Sequence, residues 1–395
     1  MYSSKNSADV IIIGAGVIGT SLAFHLARQG CRDVVVLEKD GIGSGATEKC
    51  AGGIRQQFSV AANIRLSMES VRFFADFENE TGCVPDFRQN GYLILATTPA
   101  EMAEFQGNVA LQQRLGLAVD LLSPQEVVKI LPGLRVDDIR GASFCRTDGY
   151  ADPYSVVHGF ASAAKRQGVR IIQNTAVTGI DLRQDRVQGV VTPAGRYAAP
   201  IVINAAGAYA ALVGKMAGLD IPVRPTRRHI FVTEPVFRRE KDFLPGDHWL
   251  QPPMVVDFHN GFWFRREGPG LILGMRNPDE PPGFATSVDW DFFTSAVAPS
   301  GCRRLPALAD IGIMRAQAGL HPDTPDDMAI LGRAPGIEGL YLACGMCGHG
   351  FMHAPAVGRL MAALVLGKIK ELPDAALFDL TRFQSGQSTK EKAII

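Results

Sequence analysis

The chain has 395 residues, 46% apolar and 20% charged, which describes a globular protein of two or three domain-sized units and excludes a disordered or fibrous one. Forty basic and forty acidic residues cancel, so no net field draws the chain to nucleic acid or to an anionic membrane surface. Seven scattered cysteines, an odd number, fit a reducing compartment, and the polar start has no signal-peptide pattern, so the expected location is cytoplasmic.

The first element organises the rest. Val10–Ile13 is an apolar, β-branched run, too short for a helix. Gly14, Ala15, Gly16, Val17, Ile18 and Gly19 follow in the spacing G-x-G-x-x-G. Leu22, Ala23, Leu26 and Ala27 then recur at helical spacing until Gly30. A second apolar run, Val34–Leu37, ends on Glu38, roughly 20 residues past the last glycine. This is strand, tight turn, helix, strand. Gly14 makes the turn, Gly16 lets a pyrophosphate approach the backbone, and Gly19 lets the helix lie on the sheet. The helix N-terminus attracts the pyrophosphate, and Glu38 can accept both ribose hydroxyls. An ordinary buried βαβ unit does not explain three glycines in one turn.

A loop of small residues follows at 41–53 and is suited to a flat ligand. Helices are expected over 63–80, 101–115 and 124–131, the last with Ser123 as N-cap. Strands are expected at 91–97 and 141–146. Residues 152–167 read as a helix capped by Asp152, and 169–174 as a strand. Residues 177–182 and 186–191 form a small antiparallel excursion, and 201–207 is a buried parallel-type strand before a helix at 209–217. The stretch 222–283 is rich in proline, aromatic and β-branched residues and reads as an antiparallel sheet of a second domain, with strands at 230–233, 254–257, 261–265 and 271–274. A helix at 289–298, a strand at 340–343, the glycine-rich loop CGMCGHG at 344–350 and a helix at 354–366 with Pro355 near its start complete the chain. The last dozen or so residues read as a polar, disordered tail.

The dinucleotide unit, the strand IVINAAG, GGIRQQF at 52–58, TPDDMAILG at 324–332 and CGMCGHGFMHAP together resemble the flavin-dependent amine and amino-acid oxidoreductases, the sarcosine oxidase and D-amino-acid oxidase superfamily. The likeness runs from about residue 8 to about 370 and is nearest to the β-subunit type of sarcosine oxidase and of proline or hydroxyproline dehydrogenase. It implies an α/β (α+β) fold. A Rossmann-like FAD-binding domain would be assembled from residues 1–90, 147–217 and 325–372. A mainly antiparallel substrate domain would take 91–146 and 218–324, leaving 373–395 as a tail. The implied cofactor is non-covalent FAD, because the position of the flavin-linked cysteine of related oxidases falls on Gly319. The implied cofactor residues are those of the glycine turn with Glu38, Lys39, Ser44, Thr47, Gly52, Gly53, Val177, Ala206 and Gly207, and a second wall of Gly345, Gly348, His349, Gly350, Phe351 and Met352. That wall has a physical purpose: the helix behind it points amides toward the end of the flavin that becomes anionic on reduction. Cys344 and Cys347 lack a second cysteine pair, so no metal site is expected.

The resemblance gives Arg55 the substrate carboxylate; a surface arginine is the other reading. The family's second carboxylate cation, a lysine after GHGF, is Met352 here. The carboxylate is then half-supported or handed to Arg276 or His353, which points away from sarcosine toward a bulkier substrate. His321 falls where relatives place an aromatic hydroxyl, and reads as a proton acceptor or as a structural loop histidine. Phe264 reads as substrate-packing or core, and His229 as lining the sheet. The oxygen-activating lysine of related oxidases corresponds to Ile272, which favours a dehydrogenase with an electron-accepting partner subunit over a true oxidase. The expected reaction is oxidation of a secondary or N-substituted amino acid, such as sarcosine, proline, hydroxyproline or an opine-like compound, by hydride transfer to flavin, giving an imine that hydrolyses. A non-enzymatic FAD-binding assembly protein and a nicotinamide dehydrogenase are the competing classes.

Overall fold

Val10–Ile13 lies inside a six-stranded sheet ordered Ile330–Arg333, Leu340–Cys344, Ile201–Asn204, Val10–Ile13, Val34–Leu37, Arg170–Ile172. Only Ile330–Arg333 runs antiparallel to its neighbour. The computed structural model describes residues 6–236, 247–386 and 388–393.

A parallel sheet must be covered on both faces, and alternation along the strands achieves this. Val10, Ile12, Val34 and Val36 pack under Val17–Arg28, Pro153–Arg166, Gly350–Val365 and Ala61–Ala75. Ile11, Ile13, Val35 and Leu37 pack on the opposite side, against Ile180 and Val190 of a three-stranded antiparallel sheet and against Val213.

The second large sheet has eight strands, ordered Ile313–Asp323, Arg224–Thr233, Gly270–Gly274, Phe262–Glu267, Met254–Asp257, Tyr92–Ala96, Gly141–Cys145, Asp120–Leu122. Its pairings are antiparallel except Met254–Asp257 on Tyr92–Ala96. One face carries Leu93, Val255, Phe264 and Leu273 into a core with Trp249 and Leu305. The other presents Tyr92, Met254 and Trp263. Buried Arg304 bridges Asp138 at 2.8 Å and Asp257 at 2.6 Å and ties the helix Ala298–Arg304 to this sheet.

Four expectations change. The helix expected over 63–80 breaks at Asp76 into Ala61–Ala75 and Phe77–Thr81. The last long helix starts at Gly350, not Ala354, so Pro355 lies inside it. Proline removes a helical hydrogen bond, and neighbouring polar groups find partners across the helix interface. Ser21 Oγ donates to Ala354 O at 2.7 Å, and Ser70 Oγ accepts from Ala356 N at 3.2 Å. The long strand Ile313–Asp323 had no counterpart in the pattern; as an edge strand, half exposed, it does not alternate cleanly.

The tail is the fourth. Arg382 is buried and holds Asp326 at 2.7 Å. Glu391 is fully buried, and its carboxylate accepts from Ser59 N at 2.8 Å, Val60 N at 3.1 Å and Asn63 Nδ2 at 2.9 Å. It therefore caps the N-terminus of the helix Ala61–Ala75 from over 300 residues away in sequence. Among the described residues, no helix is long and apolar enough to cross a membrane.

Candidate active site

The carboxyl ends of the parallel strands share one edge, where ligands of such sheets bind. Gly14 has φ +105°, and a Cβ there would stand 2.6 Å from Ala205 O. The turns after Val10–Ile13 and Ile201–Asn204 thus touch, which brings Ala206 and Gly207 beside the first glycine turn. A Cβ on Gly19 would stand 1.9 Å from Gly14 O, so the helix lies directly on the turn. Gly16 is the N-cap and has no side-chain cap, and a Cβ there would meet only Thr47 Oγ1, at 3.4 Å. Thr47 Oγ1 accepts from Val17 N at 3.0 Å. The Glu38 carboxylate accepts from Ala15 N at 2.8 Å and from Asp40 N at 2.9 Å, leaving lone pairs toward a ligand. Lys39 is exposed and lies 4.7 Å over the Tyr209 ring. The loop carrying Val177 is drawn to this corner by Thr175 N on Glu38 O at 2.8 Å. Ser44 Oγ donates to Gly41 O at 2.8 Å and shapes the next loop.

That loop runs into Gly52, Gly53 and Arg55. Gly52 has φ +67°, and a Cβ on Gly53 would stand 2.2 Å from the Tyr92 hydroxyl. Here backbone passes against the second sheet. Arg55 is buried, donates to Gln57 O at 2.6 Å and stacks 4.2 Å over Phe58. Among the described residues its guanidinium has no carboxylate at ion-pair distance; Asp148 and Glu391 act on it from farther away. Burial holds its pKa below the ordinary arginine value. Fully buried Asp148 fixes the segment by accepting from Gln56 N and Gln57 Nε2, each at 2.9 Å, and burial pushes its carboxyl up to about 6.

The second wall is the 344–350 loop. Gly345 has φ +64° and Gly348 φ +81°, and a Cβ on Gly348 would stand 2.9 Å from the His321 ring. Cys347 Sγ accepts from Thr324 N at 3.2 Å and pins the loop to the end of the strand Ile313–Asp323. Cys344 and Cys347 are free thiols, as are the other five cysteines. His349 is buried, among the described residues neither ring nitrogen has a partner, and it meets Phe58 edge-on at 5.3 Å. Burial first, then His353, Arg55 and His321, lower its pKa well below the ordinary value.

Between the walls and the eight-stranded sheet lies a cleft of ≈ 820 Å³. Arg55, Arg276, His321, His349, Phe351 and Met352 line it, and so do Gly52, Gly53 and Gly348. Half-buried His321 is pushed down to about 4 by desolvation and then by Arg228, with Arg276 adding, so at neutral pH its imidazole is uncharged and acts as a hydrogen-bond acceptor.

Three expected residues do not line the cleft. His353 is fully buried one turn behind His349, with Nε2 2.8 Å from Ser67 Oγ. Phe264 packs in the core on the far face of the sheet, stacked on Trp249. Ile272 is buried, on the cleft side but behind it, in register with Arg265. Conversely, Lys49, Tyr92, Arg228, Met254 and Trp263 line the cleft and were not singled out. The alternating pattern of their strands and the RRH triplet before Ile230 were the available signals. His229 reaches the cleft too, with Nε2 accepting from Asp289 N at 3.1 Å.

Comparison with known proteins fits this geometry. The family model described as DAO, FAD dependent oxidoreductase, matches residues 9–364. Dimethylglycine dehydrogenase, mitochondrial, of Rattus norvegicus is 31% identical over 92% of this chain, which spans 43% of that protein. FAD-dependent oxidoreductase domain-containing protein 1 of Bos taurus is 30% identical over 98% of this chain and 87% of its own length. Among solved structures, L-proline dehydrogenase from P. horikoshii superposes with a TM-score of 0.88 at 33% identity, covering 98% of this chain and 100% of that one. Glycine oxidase from Geobacillus kaustophilus does so with 0.83 at 26% identity, covering 96% and 99%. The chain therefore belongs to the DAO family of FAD-dependent oxidoreductases.

Proposed function

We propose that the protein oxidises a secondary or N-substituted amino acid, such as sarcosine, proline, hydroxyproline or an opine-like compound, and passes the electrons to a partner rather than to oxygen. The observation that carries this reading is Arg55: a desolvated guanidinium, without a carboxylate partner among the described residues, on the wall of the cleft. A substrate carboxylate is the counter-ion that such a group lacks.

The residues fit FAD. Gly16 leaves the N-terminus of a helix open, Gly207 at φ +54° has nothing within 4 Å of its would-be Cβ, and His349 offers two unpartnered nitrogens beside the second glycine wall. In this reading Gly14 to Gly19, with Glu38, Lys39, Ser44, Thr47, Val177, Ala206 and Gly207, hold the nucleotide. Gly52, Gly53 and the residues from Gly345 to Met352 hold the ring end. Bound there, FAD supplies the two-electron acceptor for a hydride from the substrate's α-carbon. Arg55 orients the carboxylate. Neutral His321, with Arg228 and Arg276 close by, favours the unprotonated form of the amine, and the resulting imine takes up water. Gly319, where related enzymes carry a flavin-linked cysteine, packs against Lys49 and offers no nucleophile, which supports non-covalent binding.

The acceptor assignment rests on Ile272, an uncharged side chain where related oxidases place a lysine. The neighbouring cation, Arg265, is committed to Ala51 O at 2.6 Å and to the Glu267 carboxylate at 2.5 Å. Cytoplasmic location is supported by seven free thiols. The test is anaerobic: bleaching of the flavin absorbance by members of an amino-acid and amine panel supports the reading, and no bleaching by any of them favours an FAD-binding assembly protein. Reoxidation by air as fast as turnover defeats the dehydrogenase assignment; slow reoxidation, partly restored by Ile272→Lys, supports it.

A further inference from the structure

Among the described residues the cleft is lined by four cations, Lys49, Arg55, Arg228 and Arg276, and by no carboxylate. One monocarboxylate needs one of them. The cations also stand at two ends. His349 lies within electrostatic reach of Arg55 on one side and His321 on the other. His321, packed against Gly348, lies within reach of Arg228 and Arg276. Arg55 thus acts on His349 and not on His321, while Arg228 and Arg276 act on His321 and not on His349, so the arginines approach the histidine pair from different ends.

The far end has spare capacity. Arg228 reaches Asp323 Oδ2 through Nη2 at 3.3 Å, but its buried Nε has no partner. Arg276 is exposed at the rim and forms no ion pair among the described residues. Nearby acids are engaged: Asp323 takes Arg228 and the Thr226 hydroxyl, and Asp327 lies 3.8 Å from Lys390. Both histidines stay neutral, so they add no charge between these arginines and offer acceptors to an amine.

We propose that the cleft takes an amino acid whose nitrogen lies between two carboxylates, one held by Arg55 and the other by Arg228 and Arg276. This rests on the amino-acid reading above and narrows it to N-(carboxyalkyl) amino acids. It also gives a reason for Met352, since a second carboxylate at the far end removes the need for a second cation at the near one.

The test separates recognition from chemistry. The FAD-loaded protein is titrated with thiodiacetate and with methylthioacetate, which carry sulfur in place of the amine and cannot be oxidised to an imine. Binding is read from the flavin spectrum. The proposal expects thiodiacetate to bind at least about tenfold tighter, the effect of one added charge pair. That ratio should collapse toward one in Arg276→Gln and in Arg228→Gln; the exposed Arg276 site guards against a variant that misfolds. A wild-type ratio near one, or a ratio that survives both substitutions, overturns it. Iminodiacetate and sarcosine are then compared as anaerobic reductants. If the thioethers discriminate but neither amine bleaches the flavin, dicarboxylate recognition stands and the oxidation reading fails.

Discussion

The nucleotide edge is built from backbone, and the cleft from side chains. At the edge the decisive features are missing atoms: a Cβ at Gly14 or Gly19 would stand 2.6 or 1.9 Å from a carbonyl oxygen. In the cleft the decisive features are charges and rings from segments far apart, Arg55 after the first glycine loop, Arg228 on the second sheet, Arg276 just past its strand Gly270–Gly274, and His349 at the N-cap of the helix Gly350–Val365. Added bulk is what breaks the glycine turn. Lost charge is what disables the arginines of the cleft. Substitutions should divide the same way.

The largest expected effect is at the edge. Gly19→Val should fail to fold, because its Cβ would collide with backbone. Gly16→Val should fold and lose FAD, because its Cβ meets open space where a pyrophosphate would pass. Expression yield and flavin absorbance separate the two; equal behaviour would blur the distinction drawn here.

Next is Arg55→Ala. It should keep its flavin and lose about 2–5 kcal/mol in kcat/KM for a carboxylated substrate, the scale for breaking a buried charge pair. Loss of flavin instead would move Arg55 to the cofactor side of the comparison.

Glu391→Gln tests the tail contact behind the segment that follows Arg55. It weakens charge-assisted bonds to Ser59, Val60 and Asn63, so unfolding by urea should show a loss of about 1–3 kcal/mol. Unchanged stability would return the tail to a passive role.

The remaining effect is with pH. Burial holds His353 at about 3 against an ordinary 6.5. The unfolded chain therefore binds a proton that the folded chain refuses, and stability present above pH 6.5 is lost as pH falls toward 3. His353→Gln should flatten the fall in Tm over that window, with flavin content as a control. A slope as steep as wild type would assign the loss to other groups.

How much was legible follows from the same division. The glycine turn, Glu38 and the two parallel strands were readable because local spacing dictates them. Arg55 was readable through its motif. Arg228 was not, because its strand lies between a proline-rich stretch and an aromatic run, and nothing local says which face meets the cleft. His353 and Phe264 were assigned toward the substrate from position in a motif, but burial on a helix or strand is decided by what packs opposite, Ser67 and Trp249. The tail looked disordered because its polar residues are satisfied by partners over 300 residues away.

In the proposed reaction Arg55 seats a substrate carboxylate beside FAD. The most direct measurement is rapid-mixing, anaerobic reduction of the FAD-loaded protein by one amine in two forms, the free carboxylate and its methyl ester. Reduction by the acid should be at least about thirtyfold faster in the low-concentration limit, matching the ~2–5 kcal/mol of an unpaired buried cation, with the difference abolished in Arg55→Ala. Equal rates for acid and ester in the wild type would contradict it.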